Sequence, residues 1–372
     1  MNGFWYGNPS ARRWRCEPPS GDPQLFHASL PGYRPTELAE VPALADELHV
    51  GRVFVKDESA RLSLGAFKVL GASWAVARMV AGDAGIPDFT RLRLAAARTP
   101  VELVTATDGN HGRAVAYMAR LLDLRACVFI PDAAPASASA MIAAEGATVT
   151  VVSEPYDAAV EQAARYADAE PGRALVQDTA WPGYEQVPGW IVAGYETLFS
   201  EIDMQLGKRG IDRLDLLSVP VGVGSLAQAA VAHYRSRPSA SEVSRAGRGG
   251  PAVLAVEPET AACLLASLQA GAYGSIGTSP TVMAGLNCGT PSSLAWPVLA
   301  AGLDAAIAVP DQAATKAVAD LVARGVSAGP SGAASLAGAR TALTGDGSTE
   351  RRADLGATES SVVVLLNTEG QS

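Results

Sequence analysis

The sequence predicts an α/β protein of two doubly wound domains with mostly parallel sheets, the smaller domain inserted in the larger. Three observations predict it. Short apolar strands alternate with amphipathic helices over most of the chain. The alternation comes as two separate series, divided by a long helical stretch. Several strands run into turns dense in Gly, Thr, Asp and Asn, and open α/β sheets bind their ligands at the strands' C-terminal ends.

Residues 1–50 are Pro-rich and irregular, closing on Pro31-Gly32-Tyr33-Arg34-Pro35-Thr36 and a short helical run. Val53–Asp57 reads as a strand leading into Ser63-Leu64-Gly65-Ala66-Phe67-Lys68-Val69-Leu70-Gly71, the start of a helix. Phe67, Leu70, Trp74 and Ala77 recur at helical spacing and give that helix a buried face. Residues 82–100 read as an irregular connection. The first series then runs as strand Val101–Ala106, helix 110–122, strand Ala126–Ile130, helix 137–145, strand Thr148–Val152, helix 157–169 and strand Ala174–Gln177. Right-handed crossovers join such strands in parallel. A long helix at 184–206 precedes the second series. That series has strand Leu214–Val219, helix 225–236, strand Ala252–Val256, helix 260–270, helices near 312–324 and 331–343, and strand Val362–Leu366. Two stretches, 236–250 and 344–360, read as mobile linkers. The expected domains are 1–75 with 183–372, and 76–182.

Composition bounds the function. Hydrophobic residues make up 48% and charged ones 18% of 372, an ordinary globular balance that excludes a disordered chain. The net charge of −9 argues against nucleic-acid or anionic-membrane partners. No apolar run reaches the length of a membrane span. Met1-Asn2-Gly3-Phe4-Trp5-Tyr6 lacks the basic-then-apolar order of a secretory signal, so the cytoplasm is the expected location. Four cysteines without CxxC spacing and four histidines without a ligand pattern predict no metal site. Cys127 reads as core, while Cys263 and Cys288 are candidates for a redox-sensitive pair.

Lys68 is the organising candidate. An ammonium beside a buried helix face is costly unless paired or uncharged. A lysine so placed is an amine nucleophile suited to covalent chemistry on an aldehyde. The competing reading is a stem lying on apolar surface with its head in water. Pro220-Val221-Gly222-Val223-Gly224-Ser225-Leu226 lies between a strand and a helix. Its glycines let the backbone approach an anion, and the helix start offers free N–H groups. Without GxGxxG or GxxxxGK[ST] it suits one small phosphate; a tight packing turn is the alternative. Thr107-Asp108-Gly109-Asn110-His111 offers groups for a carboxylate and a ring oxygen, against plain capping by Asp108 or Asn110. Gln177-Asp178-Thr179-Ala180-Trp181-Pro182-Gly183-Tyr184 brings an acid, a hydroxyl and two aromatics to another strand end. The last strand runs into Asn367-Thr368-Glu369-Gly370, neutral polar groups suited to a ring nitrogen.

In this order the segments resemble the fold-type II pyridoxal 5′-phosphate (PLP) enzymes, and among these the ammonia-lyases that act on 2,3-diaminopropionate. The resemblance runs from Pro31-Gly32-Tyr33-Arg34-Pro35-Thr36 to Asn367-Thr368-Glu369-Gly370. Its specific parts are Lys56-Asp57-Glu58-Ser59, Ala66-Phe67-Lys68, Thr107-Asp108-Gly109-Asn110-His111-Gly112-Arg113, Gln177-Asp178-Thr179-Ala180-Trp181, Gly222-Val223-Gly224 and Met283-Ala284-Gly285-Leu286. It implies PLP as cofactor, with Lys68 as the Schiff-base lysine and Asn110 on the phenolic oxygen. The amides of Gly222, Val223, Gly224 and Ser225 would hold the phosphate, with Phe67 and Leu226 beside the cofactor. Asn367 or Thr368 would face the pyridine nitrogen.

The same resemblance places a small amino-acid substrate on Thr107, Asp108, Gly109, His111 and Asp178. Serine/threonine dehydratases usually carry a small hydroxyl residue where Asp108 stands. A carboxylate there suits a substrate with a second amine. Lys68 and Asp108 would be the bases for the two enantiomers, and Asp178 would hold or protonate the leaving β-amine. The expected reaction is α,β-elimination of ammonia, giving pyruvate and a second ammonia through free aminoacrylate. A serine/threonine dehydratase or a β-replacement enzyme is the alternative. The resemblance also implies a homodimer. Three departures stand out: Asn367 for the usual Ser or Thr, Pro330 in a loop that is more polar in relatives, and Asn287.

Overall fold

The computed structural model of the chain describes residues 3–18, 21–82, 85, 88–107, 109–154, 156–236 and 250–371. Its contacts form two compact units. One comprises Met1–Ser20, Pro35–Ala60 and Leu198–Gln371; the other comprises Gly21–Arg34 and Arg61–Thr197. In chain order the strands are β1 (Trp5–Gly7), β2 (Leu38–Glu40), β3 (Arg52–Asp57), β4 (Glu102–Ala106), β5 (Arg125–Pro131) and β6 (Thr148–Val152). They continue with β7 (Arg173–Leu175), β8 (Leu216–Pro220), β9 (Ala252–Pro258), β10 (Ala305–Val309) and β11 (Val362–Asn367).

The first unit holds a seven-stranded sheet in the order β1-β10-β9-β8-β11-β3-β2. Its five central strands are parallel, and the three-residue edges β1 and β2 are antiparallel. Central parallel strands are covered on both faces, which is why runs such as Val362-Val363-Val364-Leu365-Leu366 are apolar without alternation. The helix Pro330–Leu343 lies against the sheet through Ala333, Ala334, Ala337 and Gly338. A Cβ on Gly338 would stand 2.3 Å from Val256 Cγ2, so only glycine permits this approach.

The second unit holds the all-parallel sheet β6-β5-β4-β7. Val104, Ala106, Cys127 and Phe129 pack on Ala159 and Ala163 of the helix Tyr156–Asp168. Val128 and Ile130 pack instead with Ala116 of the helix Asn110–Leu122 and Ile142 of the helix Ala136–Ala144. The period of two along β5 thus sends alternate residues to helices on opposite faces. In the same unit the helix Lys68–Ala81 crosses the helix Gln186–Gly194 through paired glycines. A Cβ on Gly71 would meet Ile191 Cγ2 at 2.6 Å, and one on Gly194 would meet the Leu70 carbonyl at 2.5 Å.

The expected fold class holds, and several elements differ. Residues 82–100 contain the helix Phe89–Ala96, capped where Asp88 accepts from the Arg91 amide. The supposed linker 344–360 contains the helix Ser348–Leu355. The other linker lies outside the described residues over 237–249. The long helix at 184–206 is two helices, Gln186–Gly194 and Glu196–Gly207, separated at Tyr195. β10 escaped the strand pattern because Ala305-Ala306-Ile307-Ala308-Val309 is alanine-rich, and alanine has little β-propensity. The smaller unit extends beyond 76–182 on both sides, since the glycine crossing ties the helix at 68–81 to the one at 186–194. Among the described residues no helix is long and apolar enough to cross a membrane.

One buried ion pair anchors the first unit. Lys56 Nζ, on β3, lies 2.6 Å from Glu201 Oε2, 2.9 Å from the Thr36 carbonyl and 3.0 Å from Gln205 Oε1. Both charged side chains are fully buried. Lys56→Met would strand the Glu201 carboxylate and is expected to cost about 3–5 kcal/mol in urea unfolding. Adding Glu201→Leu should recover most of that loss; a double variant no better than the single one would show that the pair is not the anchor.

Candidate active site

The segment before Lys68 is held in an unusual backbone conformation. Leu62 and Ser63 both lie in the left-handed region, at φ 48° and 61°, which non-glycine residues seldom adopt. Arg113 Nη1 donates to the Leu64 carbonyl at 3.0 Å and ties this loop to the helix that starts at Asn110. Lys68 then opens its own helix, with Phe67 as a cap that makes no side-chain bond. The Lys68 side chain is 25% exposed, and its Nζ lies 2.5 Å from Asp178 Oδ2. The lysine is therefore paired, not merely snorkelling. Its ammonium also stands 5.6 Å from the centroid of the Phe67 ring, which packs on Tyr195 at 4.8 Å.

Asp178 is placed by a latch beyond the end of β7. Gln177 Oε1 accepts from the Thr105 hydroxyl and the Ala106 amide, each at 3.0 Å, while its Nε2 donates to the Tyr156 hydroxyl. Tyr184 accepts from the Gln177 amide and donates to the Leu175 carbonyl. Burial pushes the Asp178 carboxyl up, but the neighbouring His111 and the close ion pair and hydrogen bond with Lys68 outweigh it and bring it down to about 2. It is ionised at neutral pH.

His111 is the third member of this group. Its Nε2 lies 2.7 Å from the Val176 carbonyl, which can only accept, so Nε2 carries the hydrogen. Burial pushes the imidazole below its usual range; Asp178 opposes that shift and Lys68 adds to it. The neutral ring leaves Nδ1 as a bare acceptor, 3.9 Å from Asp178 Oδ2. Among the described residues this buried atom has no hydrogen-bond partner. Thr107 Oγ1 accepts from the Gly109 amide at 2.9 Å, and Gly109 caps the helix that begins with Asn110. Gly109 holds the N-cap position, and Asn110 is the first residue of the helix rather than its cap. Asp108 lies outside the described residues.

The first unit carries the glycine turn. It joins β8 to the helix Ser225–Ser236. Gly224 adopts φ +98°, and a Cβ there would stand 2.9 Å from Leu299 Cδ1. A Cβ on Gly222 would meet the Gly285 carbonyl at 3.1 Å and Cys288 Sγ at 3.2 Å. The Val223 carbonyl accepts from the Ser292 amide at 2.7 Å, while Ser225 and Leu226 start the helix as buried residues. Glycines required by space and sign of φ, at the N-terminus of a twelve-residue helix, make a cradle that fits a phosphate. Cys263 and Cys288 both flank Gly222, as free thiols.

At the end of β11, Asn367 Nδ2 donates to Asp57 Oδ1 and to the Ser327 carbonyl, at 2.8 and 2.7 Å. Its Oδ1 is buried with no partner among the described residues. Thr368 follows, also buried. Glu369 accepts from the Ser331 amide and lies close to Gly285 and Gly329.

Phe67, Lys68, Thr107, Gly109, Asn110, His111 and Asp178 thus belong to one unit, and Gly222, Val223, Gly224, Ser225, Leu226, Asn367 and Thr368 to the other. The sequence reading gave no role to three residues, Gln177, Tyr195 and Glu369. The Gln177 latch was signalled by a polar residue at the end of an apolar strand. Tyr195, fully buried with an unpartnered hydroxyl among the described residues, and Glu369 gave no periodic signal. Among the described residues no His, Cys, Asp and Glu cluster could hold a metal. An amine in contact with a carboxylate suits chemistry on an aldehyde, and in the other unit the glycine turn by itself suits a phosphate.

Comparison with known proteins agrees. The family model described as pyridoxal-phosphate dependent enzyme matches residues 29–367. A diaminopropionate ammonia-lyase of Salmonella typhimurium is 37% identical over 302 residues, covering 78% of this chain and 72% of that protein. Its Escherichia coli K12 counterpart is 34% identical over 279 residues, 74% and 67% of the two chains. The crystal structure of the Escherichia coli diaminopropionate ammonia lyase in complex with D-serine superposes with a TM-score of 0.82 at 28% identity, covering 100% of this chain and 92% of that one. Maize serine racemase, at 21% identity and a TM-score of 0.73, shares the fold. The chain belongs to the family of pyridoxal-phosphate dependent enzymes.

Proposed function

We propose that the chain removes ammonia from 2,3-diaminopropionate by PLP-dependent α,β-elimination, releasing pyruvate and ammonia. The observation that carries the reading is the 2.5 Å contact between Lys68 and Asp178, an amine and an ionised acid in one buried group. The diaminopropionate ammonia-lyases among its relatives support the choice of substrate. Bound PLP supplies the electron sink for charge that develops at the substrate's Cα.

The residues divide the remaining work. The Lys68 amine would hold the cofactor through its aldehyde carbon, and uncharged it is a base for the Cα proton. Asp108 is the second base, serving the other enantiomer. Amide anion is not a viable leaving group, so the β-nitrogen must depart protonated. Asp178, an anion at neutral pH, holds it in that form. The amides of Gly222, Val223, Gly224 and Ser225 take the phosphate, with Phe67 and Leu226 as apolar neighbours. Asn110 would bond the phenolic oxygen, and Asn367 or Thr368 would face the ring nitrogen. Thr107 and the Gly109 amide take the substrate carboxylate, beside His111. A cytoplasmic homodimer is part of the same proposal and rests on family resemblance.

Two outcomes are expected. Purified protein with PLP should release ammonia and a 2-oxo acid from 2,3-diaminopropionate and not from serine or threonine; faster release from a hydroxy amino acid would make it a dehydratase instead. Lys68→Ala should lack the visible absorbance of lysine-bound PLP. A spectrum identical to that of the parent would refute the role of Lys68.

A further inference from the structure

Lys68 and Asn110 are each the first residue of a helix, and these two helices, Lys68–Ala81 and Asn110–Leu122, pack on each other. Arg113 joins their starts. It lies one turn beyond Asn110, and its Nη1 donates to the carbonyl of Leu64, four residues before Lys68, at 3.0 Å. Leu64 is held at its other backbone group as well, where its amide donates to the Arg61 carbonyl at 2.9 Å. The turn gripped in this way is strained. Leu62, Ser63 and Gly65 all have positive φ, at 48°, 61° and 81°, and the first two carry side chains. Such conformations persist only where their surroundings hold them. The guanidinium is in turn aimed by its own neighbours. Nη1 also meets Met141 Sδ at 3.6 Å, and Nε stands 3.6 Å from Oε1 of Glu145, the residue that ends the helix Ala136–Ala144.

We propose that Arg113 is a positioning residue that sets the register between Lys68 and Asn110. The inference rests on the cofactor reading above, in which Lys68 takes the aldehyde and Asn110 the phenolic oxygen, and adds a requirement to it. In PLP those two groups sit on neighbouring ring carbons. A lysine, with its flexible four-carbon stem, can follow the aldehyde through small displacements of the ring. An asparagine side chain is short and cannot follow. Meeting both groups at once therefore needs the two helix starts at a fixed offset, and the bond from Arg113 to Leu64 fixes it. Arg113 does this without contacting the cofactor.

Two ligands separate register from general damage. The protein is stripped of cofactor and reloaded, by equilibrium dialysis, with PLP or with its 3-deoxy analogue. The analogue keeps the aldehyde and the phosphate but lacks the phenolic oxygen. In Arg113→Met the Kd for PLP should rise about 10-fold, the loss of a hydrogen bond to a charged oxygen, while the Kd for the analogue stays within about twofold. Equal weakening of both ligands would mean damage to the fold around Lys68. No weakening of either would mean that Arg113 holds nothing. Each of these results overturns the proposal.

A double-mutant cycle asks the same question of the protein. With Asn110→Ala in place, adding Arg113→Met should change the Kd for PLP by no more than about twofold. A further 10-fold loss would show that the two residues act independently, which contradicts the register. If Arg113→Met does not fold, Arg113→Lys decides: its ammonium keeps one donor on a shorter stem, and it should weaken PLP about threefold and the analogue not at all. Equal weakening of the two ligands in that variant overturns the proposal as well. The parent protein tests the underlying reading separately. A parent that binds neither ligand sinks the cofactor assignment itself, and one that binds PLP no better than the analogue sinks the role of Asn110; either result takes the proposal with it.

Discussion

The site depends on one ion pair formed in an unfavourable place. Lys68 is the first residue of its helix, where the positive end of the helix dipole opposes a cation. Asp178 offsets that cost at 2.5 Å, and much of the second unit serves to bring the two together. The left-handed pair Leu62 and Ser63 turns the chain into the helix, and Arg113 holds the turn. Gly71 and Gly194 remove the side chains that would keep the Lys68 helix from its neighbour. On the other side, Gln177 locks the end of β4 to the loop that carries Asp178. A Cβ at either glycine, or loss of the latch, would displace a charged group by a fraction of the distance over which the pair is strong.

The two units carry different chemistry. One holds an amine, a carboxylate and an imidazole within a few ångströms, residue types suited to covalent and proton-transfer chemistry. The other offers a helix N-terminus and neutral amides suited to an anion and a ring. Its glycine turn is defined by conformation at Gly224, at φ +98°, and by close packing at Gly222, where a Cβ would stand 3.1 Å from the Gly285 carbonyl. The buried pair Lys56–Glu201 has the same residue types as Lys68–Asp178 and a different use. Both its partners are fully buried and further bonded to Thr36 and Gln205, so it braces β3 without an open face for a ligand.

Much of this was legible in the sequence, and the rest failed for identifiable reasons. The parallel strands and their amphipathic helices announced both sheets because burial on two faces writes apolar runs. The lysine, the glycine turn and the polar strand ends stood out as local departures from those runs. What the sequence could not supply was orientation. The letters around Asp178 do not say that its carboxylate faces Lys68; the latch through Gln177 sets that direction. His111 entered the sequence reading through the resemblance, beside the substrate; in the structure its Nε2 bonds the Val176 carbonyl, and Nδ1 has no hydrogen-bond partner among the described residues. Elements without periodicity were missed, as in alanine-rich β10 and the short helix Phe89–Ala96. Tyr195 looked like the middle of one long helix, although the chain breaks there and buries its ring against Phe67.

The central claim is that Lys68, and no other amine, carries the cofactor. Borohydride reduction of the PLP-loaded protein, followed by mass mapping of its peptides, tests this most directly. The account predicts a phosphopyridoxyl group on the peptide that contains Lys68. Label on the peptides of Lys56, Lys208 or Lys316 instead, or on none, would contradict it.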